Sequence, residues 1–407
     1  MFDVASLIAA RKPGFTLPAP LYTSAEAHAA DLRAIFGRHW IFVASGPELP
    51  EPGDYVTVQI GTNSVMLVRD DDGRVQAFHN VCRHRGSRIL LDPRGETANL
   101  VCPYHHWTYD LSGKLIHAEL FADCVEGGRH NLKPVPVRDM AGLLYICLAP
   151  EAPTDFDDMA AELLPYLEPH QINRCKVAYQ EDIVEQGNWK LTIENNRECY
   201  HCSGHPELLK SLFHFFGDYD IPEHQQDDYA RFKRTTSEMQ DVWDEAGLPW
   251  RPIEKLSGRP TGFRTERLAL DGPGESYTMD ARRACQKLVG GFTNARLGTL
   301  HLHTQPNAWF HFLGDHAVTF SVLPLAADRT LVRTTWLVDR DAVEGEDYDV
   351  PNLTAVWKAT NAQDGNFVSW AHAGAGSDGY EPGRYAGSEY MVDLFGTWYT
   401  ERLEANL

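Results

Sequence analysis

The chain has 407 residues, 43% hydrophobic and 23% charged, with 37 basic against 57 acidic side chains and a net charge of -20. That length exceeds one typical domain of about 100–150 residues, so more than one folded unit is expected. The acidic excess argues against a nucleic-acid partner, whose phosphates demand clustered Lys and Arg, and no run reaches the roughly 18 unbroken apolar residues of a membrane helix.

Taken in chain order, residues 1–20 lack the apolar core of a signal peptide, because Arg11, Lys12 and Pro13 interrupt it. Residues 25–40 read as an amphipathic helix, with Leu32, Ile35, Phe36 and Trp40 at helical spacing. From 53 to 72 the pattern becomes strand-like: Tyr55, Val56, Val58, Ile60, Val65, Leu67 and Val68 are divided by the turn-forming Gly61-Thr62-Asn63. A small antiparallel β-domain is expected here, closing with a strand over 142–148.

Inside that domain lie Cys82-Arg83-His84-Arg85-Gly86 and Cys102-Pro103-Tyr104-His105-His106, two turn-rich segments. Two thiolates and two imidazoles so arranged can divide between the irons of a [2Fe-2S] centre, both Cys on one and both His on the other. Structural zinc also uses two Cys and two His, although it favours C-x2-4-C followed by H-x3-5-H; unrelated core Cys and His are the remaining alternative. The eight cysteines are scattered, at 82, 102, 124, 147, 175, 199, 202 and 285, which is no disulfide framework and fits a reducing, cytoplasmic setting.

An electron carrier of this kind needs only about 100 residues. Some 250 more remain. Residues 155–168 read as a short helix, and 176–184, 299–312, 317–325 and 330–338 as strands of a curved antiparallel sheet with helices over it. The Gly- and Pro-containing interval 257–275 reads as a long loop and candidate lid.

A second site is expected between Asn188 and Pro206. A helix there would place Glu194, Glu198, His201 and His205 on one face, beside an anchoring stripe of Trp189, Ile193 and Tyr200. A solvated polar face is the plain alternative. Non-heme iron that activates oxygen takes two His and one carboxylate, and Asp364, on a helical pattern over 353–367 with Leu353, Val356, Trp357, Thr360 and Asn361, is the best third ligand. Its own alternative is an exposed helical Asp.

The segment from Asn80 to Lys114, with Trp107-Thr108-Tyr109-Asp110 after the second Cys/His pair, resembles the Rieske domain of ring-hydroxylating oxygenases. Glu198-Cys199-Tyr200-His201, His205-Pro206-Glu207-Leu208 and Thr360-Asn361-Ala362-Gln363-Asp364 are similar to their catalytic α-subunit. The run Glu194 to Cys202, with Asp315-His316-Ala317-Val318 and Asp341-Ala342-Val343-Glu344-Gly345, resembles the branch acting on quaternary ammonium compounds. The resemblance implies an α+β fold: a helical segment at 1–44, an antiparallel β Rieske [2Fe-2S] domain at 45–150, and a helix-grip, START-like catalytic domain at 151–407. Two departures stand out. Three residues rather than the common four separate His201 from His205, and His106 stands where glutamine is frequent.

By the resemblance, Cys82, His84, Cys102 and His105 hold the cluster, while His201, His205 and Asp364 hold mononuclear Fe(II). Glu198 bridges a Rieske histidine of the next subunit to an iron-binding histidine in a head-to-tail homotrimer. The implied reaction hydroxylates an N-methyl group with O2, and the carbinol collapses to formaldehyde and the demethylated amine. Tyr200, Trp309, Phe310, Phe312 and Trp357 are candidates for an aromatic cage around a small cationic substrate. A separate flavin and iron–sulfur reductase is expected, since no G-x-G-x-x-G fingerprint follows a strand. The competing readings are an oxygenase for an aromatic ring or O-methyl group, and a non-catalytic Rieske electron-transfer protein.

Overall fold

The computed structural model describes residues 3–215 and 219–407. Its largest sheet has seven antiparallel strands in the order Cys175–Glu185, Arg329–Asp339, His316–Ala326, Ala308–Phe312, Thr299–Thr304, Phe263–Leu268 and Ile253–Lys255. Strand side chains alternate between faces. Leu300, Leu302, Phe310 and Phe312 therefore join a core with Trp40, Phe42, Tyr145 and Phe156. Trp309, Phe320 and Trp336 instead meet the helices Trp189–Asn195, Val350–Ala375 and Tyr390–Asn406, through Trp189, Trp357 and Trp398 among others.

Smaller antiparallel sheets are spread over residues 40–147, including Asp54–Ile60 with Asn63–Arg69 and Trp40–Ser45 with Leu143–Cys147. Asn307 joins this part to the large sheet: its amide oxygen accepts from Phe42 N–H at 3.0 Å, and its amide nitrogen donates to Phe42 O at 2.8 Å.

Two expectations need correction. Of residues 25–40, only Ala25–Asp31 is α-helical; a π-helical turn, Leu32–Phe36, follows, and Trp40 opens a strand. Trp40-Ile41-Phe42-Val43 is aromatic and β-branched, and pairing with Leu143–Cys147 outweighs the helical spacing of Trp40. The supposed lid at 257–275 contains the sheet strand Phe263–Leu268, because its register with Thr299–Thr304 satisfies a backbone whose Gly and Pro lie only at the flanks.

The N-terminal segment is bound to the helices Trp189–Asn195 and Tyr390–Asn406 by buried polar groups. Asp31 and Lys190, both with fully buried side chains, form an ion pair at 2.5 Å. Asp31 also accepts from Trp189 Nε1 at 2.8 Å and from the Tyr399 hydroxyl at 2.7 Å.

Nearby, the Tyr22 hydroxyl donates to both carboxylate oxygens of buried Glu194, at 2.9 and 3.0 Å. Burial pushes the Glu194 carboxyl up to about 8, against the lowering influence of Tyr22, Lys190 and Arg11. Between its unfolded value of 4.5 and about 8, the folded protein keeps a proton that the unfolded chain has released. The stabilisation is complete below the unfolded value and is lost as pH rises toward the folded one. Glu194→Gln, which retains an acceptor for Tyr22, is expected to raise the thermal midpoint more at about pH 8 than at about pH 5. Thermal scans at the two pH values check this, and an unchanged difference between them would contradict it.

Two candidate iron centres and a buried cavity

The two Cys/His loops share one backbone pattern. Cys82 N–H donates to Ser87 O and Gly86 N–H to Cys82 O; Cys102 N–H donates to Trp107 O and His106 N–H to Cys102 O. The fourth residue after each Cys takes a left-handed conformation, Gly86 at φ 76° and His106 at φ 56°. His106 thus occupies the turn position that glycine fills in the other loop. The cysteines lie inside, 3% and 1% exposed, while His105 is exposed and His84 half-buried. His84 and His105 rings approach to 4.6 Å, Trp107 stacks on His84 at 4.9 Å, and the Tyr109 hydroxyl lies 3.5 Å from Cys82 Sγ. Thiols buried and imidazoles at the surface suit a [2Fe-2S] cluster that exchanges electrons through its histidine edge.

The second site departs from the expected helix. Asn188 caps a helix that runs only over Trp189–Asn195. Beyond it the chain is pinned: His303 Nε2 meets the Asn196 side chain at 2.8 Å, Arg197 donates to Met391 O at 3.1 Å, and its guanidinium lies 3.3 Å from Glu254. A turn and a single 3-10 turn, Cys202–Gly204, then carry Glu198, His201 and His205. Glu194 consequently leaves the shared face and bonds Tyr22, and Tyr200, 71% exposed, is no anchor.

His205 leaves helical geometry at φ -116°, ψ 71°, which accommodates the shortened spacing. Its Nε2 lies 3.1 Å from Asp364 Oδ1, and His201 Nε2 lies 3.5 Å from the same oxygen. His205 Nε2 and Asp364 Oδ1 are buried and form no aligned hydrogen bond, so their lone pairs converge as a bound cation requires. The other ring nitrogens are engaged: His201 Nδ1 with Glu198 at 2.5 Å, His205 Nδ1 with Gln363 Oε1 at 2.8 Å, while the Gln363 amide donates to Glu207 at 2.7 Å. That is how metal-binding imidazoles are held in orientation. Burial disfavours charge on His201, yet the Asp364 and Glu198 carboxylates outweigh it and raise its pKa to about 9. The site attracts positive charge. Cys202 Sγ also lies close, but it is joined to Cys199 in a local disulfide, which leaves Asp364 as the candidate third donor.

Asp364 sits on the helix Val350–Ala375, on the face that buries Leu353, Val356, Trp357, Thr360 and Asn361. A Cβ on Gly204 would lie 2.7 Å from the Phe367 ring, so the histidine turn packs directly on this helix.

A cavity of about 50 Å³ opens on the triad, and among its lining residues are Tyr277, His301, His311, Trp357, Leu208 and Leu268. Of the five aromatic cage candidates only Trp357 lines it. Phe310 and Phe312 alternate with His311 and face the opposite core; Trp309 stacks on Phe320 at 4.7 Å; Tyr200 borders a separate surface cleft. Tyr277, His301, His311 and Gln363 were not anticipated. The available signal was the alternation His301, His303 and His311 within apolar strands, which marks one polar stripe on a sheet face.

With this geometry established, comparison with known proteins decides the family. Residues 172–405 match the model described as "Ring hydroxylating alpha subunit (catalytic domain)", and residues 39–126 the "Rieske [2Fe-2S] domain". The chain belongs to the Rieske ring-hydroxylating oxygenase α-subunit family. It is a Rieske non-heme iron monooxygenase, with a [2Fe-2S] cluster and a mononuclear iron as its cofactors. It is 43% identical over 406 residues to the glycine betaine monooxygenase oxygenase subunit of Chromohalobacter salexigens, covering 99% of this chain and 89% of that protein. Against the protein of the same name from Pseudomonas aeruginosa it is 42% identical over 409 residues, covering 99% and 92%. The crystal structure of the quaternary ammonium Rieske monooxygenase CntA with L-carnitine shares the Rieske oxygenase fold, with a TM-score of 0.67 at 20% identity, covering 98% of this chain and 99% of that one. Among the described residues no helix is long and apolar enough to cross a membrane.

Proposed function

We propose that this Rieske oxygenase hydroxylates an N-methyl group of a small quaternary ammonium compound of the glycine betaine or proline betaine class. The observation that carries the reading is the lining of the cavity beside the iron triad. It presents the rings of Tyr277, His301, His311 and Trp357, the carboxylates of Glu198 and Asp364, and no Lys or Arg among the described lining residues. A quaternary nitrogen has no proton to donate, so aromatic faces and nearby carboxylates are the means of holding it. Burial, reinforced by Arg264 and Arg197, holds His301 down at about 3, and burial first of all keeps His311 well below the usual imidazole range. Both rings stay neutral and do not repel a cation. The two relatives named above, at 42–43% identity, support the same substrate class.

His201, His205 and Asp364 would hold the iron, which would supply the O2 activation. The protein's part is to orient it: Glu198 fixes the His201 ring, Gln363 fixes the His205 ring, and Leu208, Leu212 and Leu268 keep water from the cavity. One methyl C–H, one O2, two electrons and two protons give N–CH2–OH and water. The carbinol then loses formaldehyde and leaves the demethylated amine. Electrons come from a separate flavin and iron–sulfur reductase, and Glu198 links the iron site to the cluster of a neighbouring subunit in a homotrimer. In this reading residues 1–44, 45–150 and 151–407 are the N-terminal, Rieske and catalytic segments, and the enzyme acts in the cytoplasm.

The test supplies a reductase and O2 and measures formaldehyde over a panel of betaines and aromatic acids. Formaldehyde equimolar with the demethylated amine from glycine betaine or proline betaine is expected. No release from any quaternary amine defeats the proposal, and a hydroxylated aromatic acid in its place establishes the aromatic alternative.

A further inference from the structure

A betaine carries a carboxylate a few bonds from its quaternary nitrogen, so a site for it must hold both charges. A Lys or Arg in the cavity would pair with the carboxylate and repel the nitrogen beside it. Two neutral donors stand there instead. His311 comes from the strand Ala308–Phe312 and Trp357 from the helix Val350–Ala375; their rings stack at 4.4 Å with planes 25° apart. They are 4% and 5% exposed, yet among the described residues neither ring nitrogen of His311 nor Nε1 of Trp357 has a hydrogen-bond partner. Buried N–H groups are almost always satisfied, and two unsatisfied ones on adjacent rings of one cavity point to a ligand that accepts from both.

The surrounding rings hold the pair in place. His301 also stacks on His311, at 4.6 Å, and Tyr277 meets His311 and Trp357 edge-on at 5.3 and 5.1 Å. The donors are therefore oriented before a ligand arrives, which lowers the entropy cost of binding. Indole offers only its N–H, and a neutral imidazole offers one N–H, so together they match the two oxygens of a carboxylate.

We propose that His311 and Trp357 form a neutral carboxylate clamp, each donating one N–H to the substrate's carboxylate and so selecting zwitterionic betaines over cations of the same shape. This rests on the quaternary ammonium reading above and assigns how that site chooses within the class. The bonds are charge-assisted, and a pocket built around them discriminates against a ligand that leaves its donors unpaired.

The test is calorimetric binding to the full-length, iron-loaded oxygenase with two probes: glycine betaine, and choline, which has the same trimethylammonium group and an alcohol in place of the carboxylate. The variants are His311→Phe and Trp357→Phe, which keep a ring and remove the N–H. Each is expected to weaken glycine betaine about 10- to 100-fold more than it weakens choline, because both probes share what the ring face contributes to the ammonium and only glycine betaine loses a hydrogen bond to a charged group. Equal weakening of both probes, or unchanged glycine betaine affinity, overturns the clamp while leaving the substrate class intact. A wild-type enzyme that binds neither probe nor proline betaine overturns the class as well. Iron content and the Rieske EPR signal report folding. The two variants lie on different elements, so either one that folds decides the matter.

Discussion

Asp364→Ala is expected to leave a protein that keeps its Rieske cluster and loses its third iron. The Asp364 carboxylate is the anionic member of the triad, 3.1 Å from His205 Nε2 and 3.5 Å from His201 Nε2. Alanine leaves two neutral imidazoles and opens the site to water. Loss of an outer partner that merely orients a ligand typically costs 10- to 100-fold in metal affinity, so loss of a charged ligand costs more. Iron should fall from about three to about two per chain, with the reduced-cluster EPR signal retained and formaldehyde formation reduced at least about 100-fold. Glu198→Gln is the informative control: it leaves an acceptor for His201 Nδ1, so iron content should hold while turnover falls. Three irons per chain in the Asp364→Ala protein would show that the ligand set is misassigned.

Lys190→Met is expected to have the largest effect on stability. Lys190 and Asp31 have fully buried side chains and join the N-terminal segment to the helix Trp189–Asn195. Burial lowers the Lys190 pKa, and the Asp31 carboxylate counteracts it. Removing the ammonium leaves Asp31 with only the Trp189 and Tyr399 donors in a site without water access, and breaking a buried pair in this way costs about 3–5 kcal/mol. Replacing both partners, as Asp31→Asn with Lys190→Met, should restore most of the loss, because an uncharged pair has no such desolvation penalty. Urea unfolding followed by tryptophan fluorescence measures all three proteins. A single variant within about 1 kcal/mol of the wild type would mean that Asp31 gains solvent or a new partner.

The candidate cluster ligands were legible because their chemistry is local. C-x-H and C-x-x-H pairs close into short turns through bonds within five residues, so spacing alone carries the geometry. His201, His205 and Asp364 were legible as residue types but not as an arrangement. A helix continued past Asn195 would have placed Glu194 beside them, whereas the Asn196 and Arg197 anchors and the contact of Gly204 with Phe367 turn the chain instead. Those contacts join segments more than 50 residues apart, and no local periodicity encodes them.

The cavity wall was the least legible part, since a one-residue change of parity moves a strand side chain to the other face. Phe310, His311 and Phe312 are all buried, and which of them lines the cavity depends on which side of the sheet the helix Val350–Ala375 covers. By itself, then, the sequence determined the kind of chemistry: an acidic, metal-dependent enzyme of this family, with candidate donors for a cluster and for an iron. Tertiary structure alone decided which aromatic and imidazole rings line the cavity. Donor identity is a property of side chains and their near spacing, but the walls of a cavity are made by surfaces that long-range packing brings together.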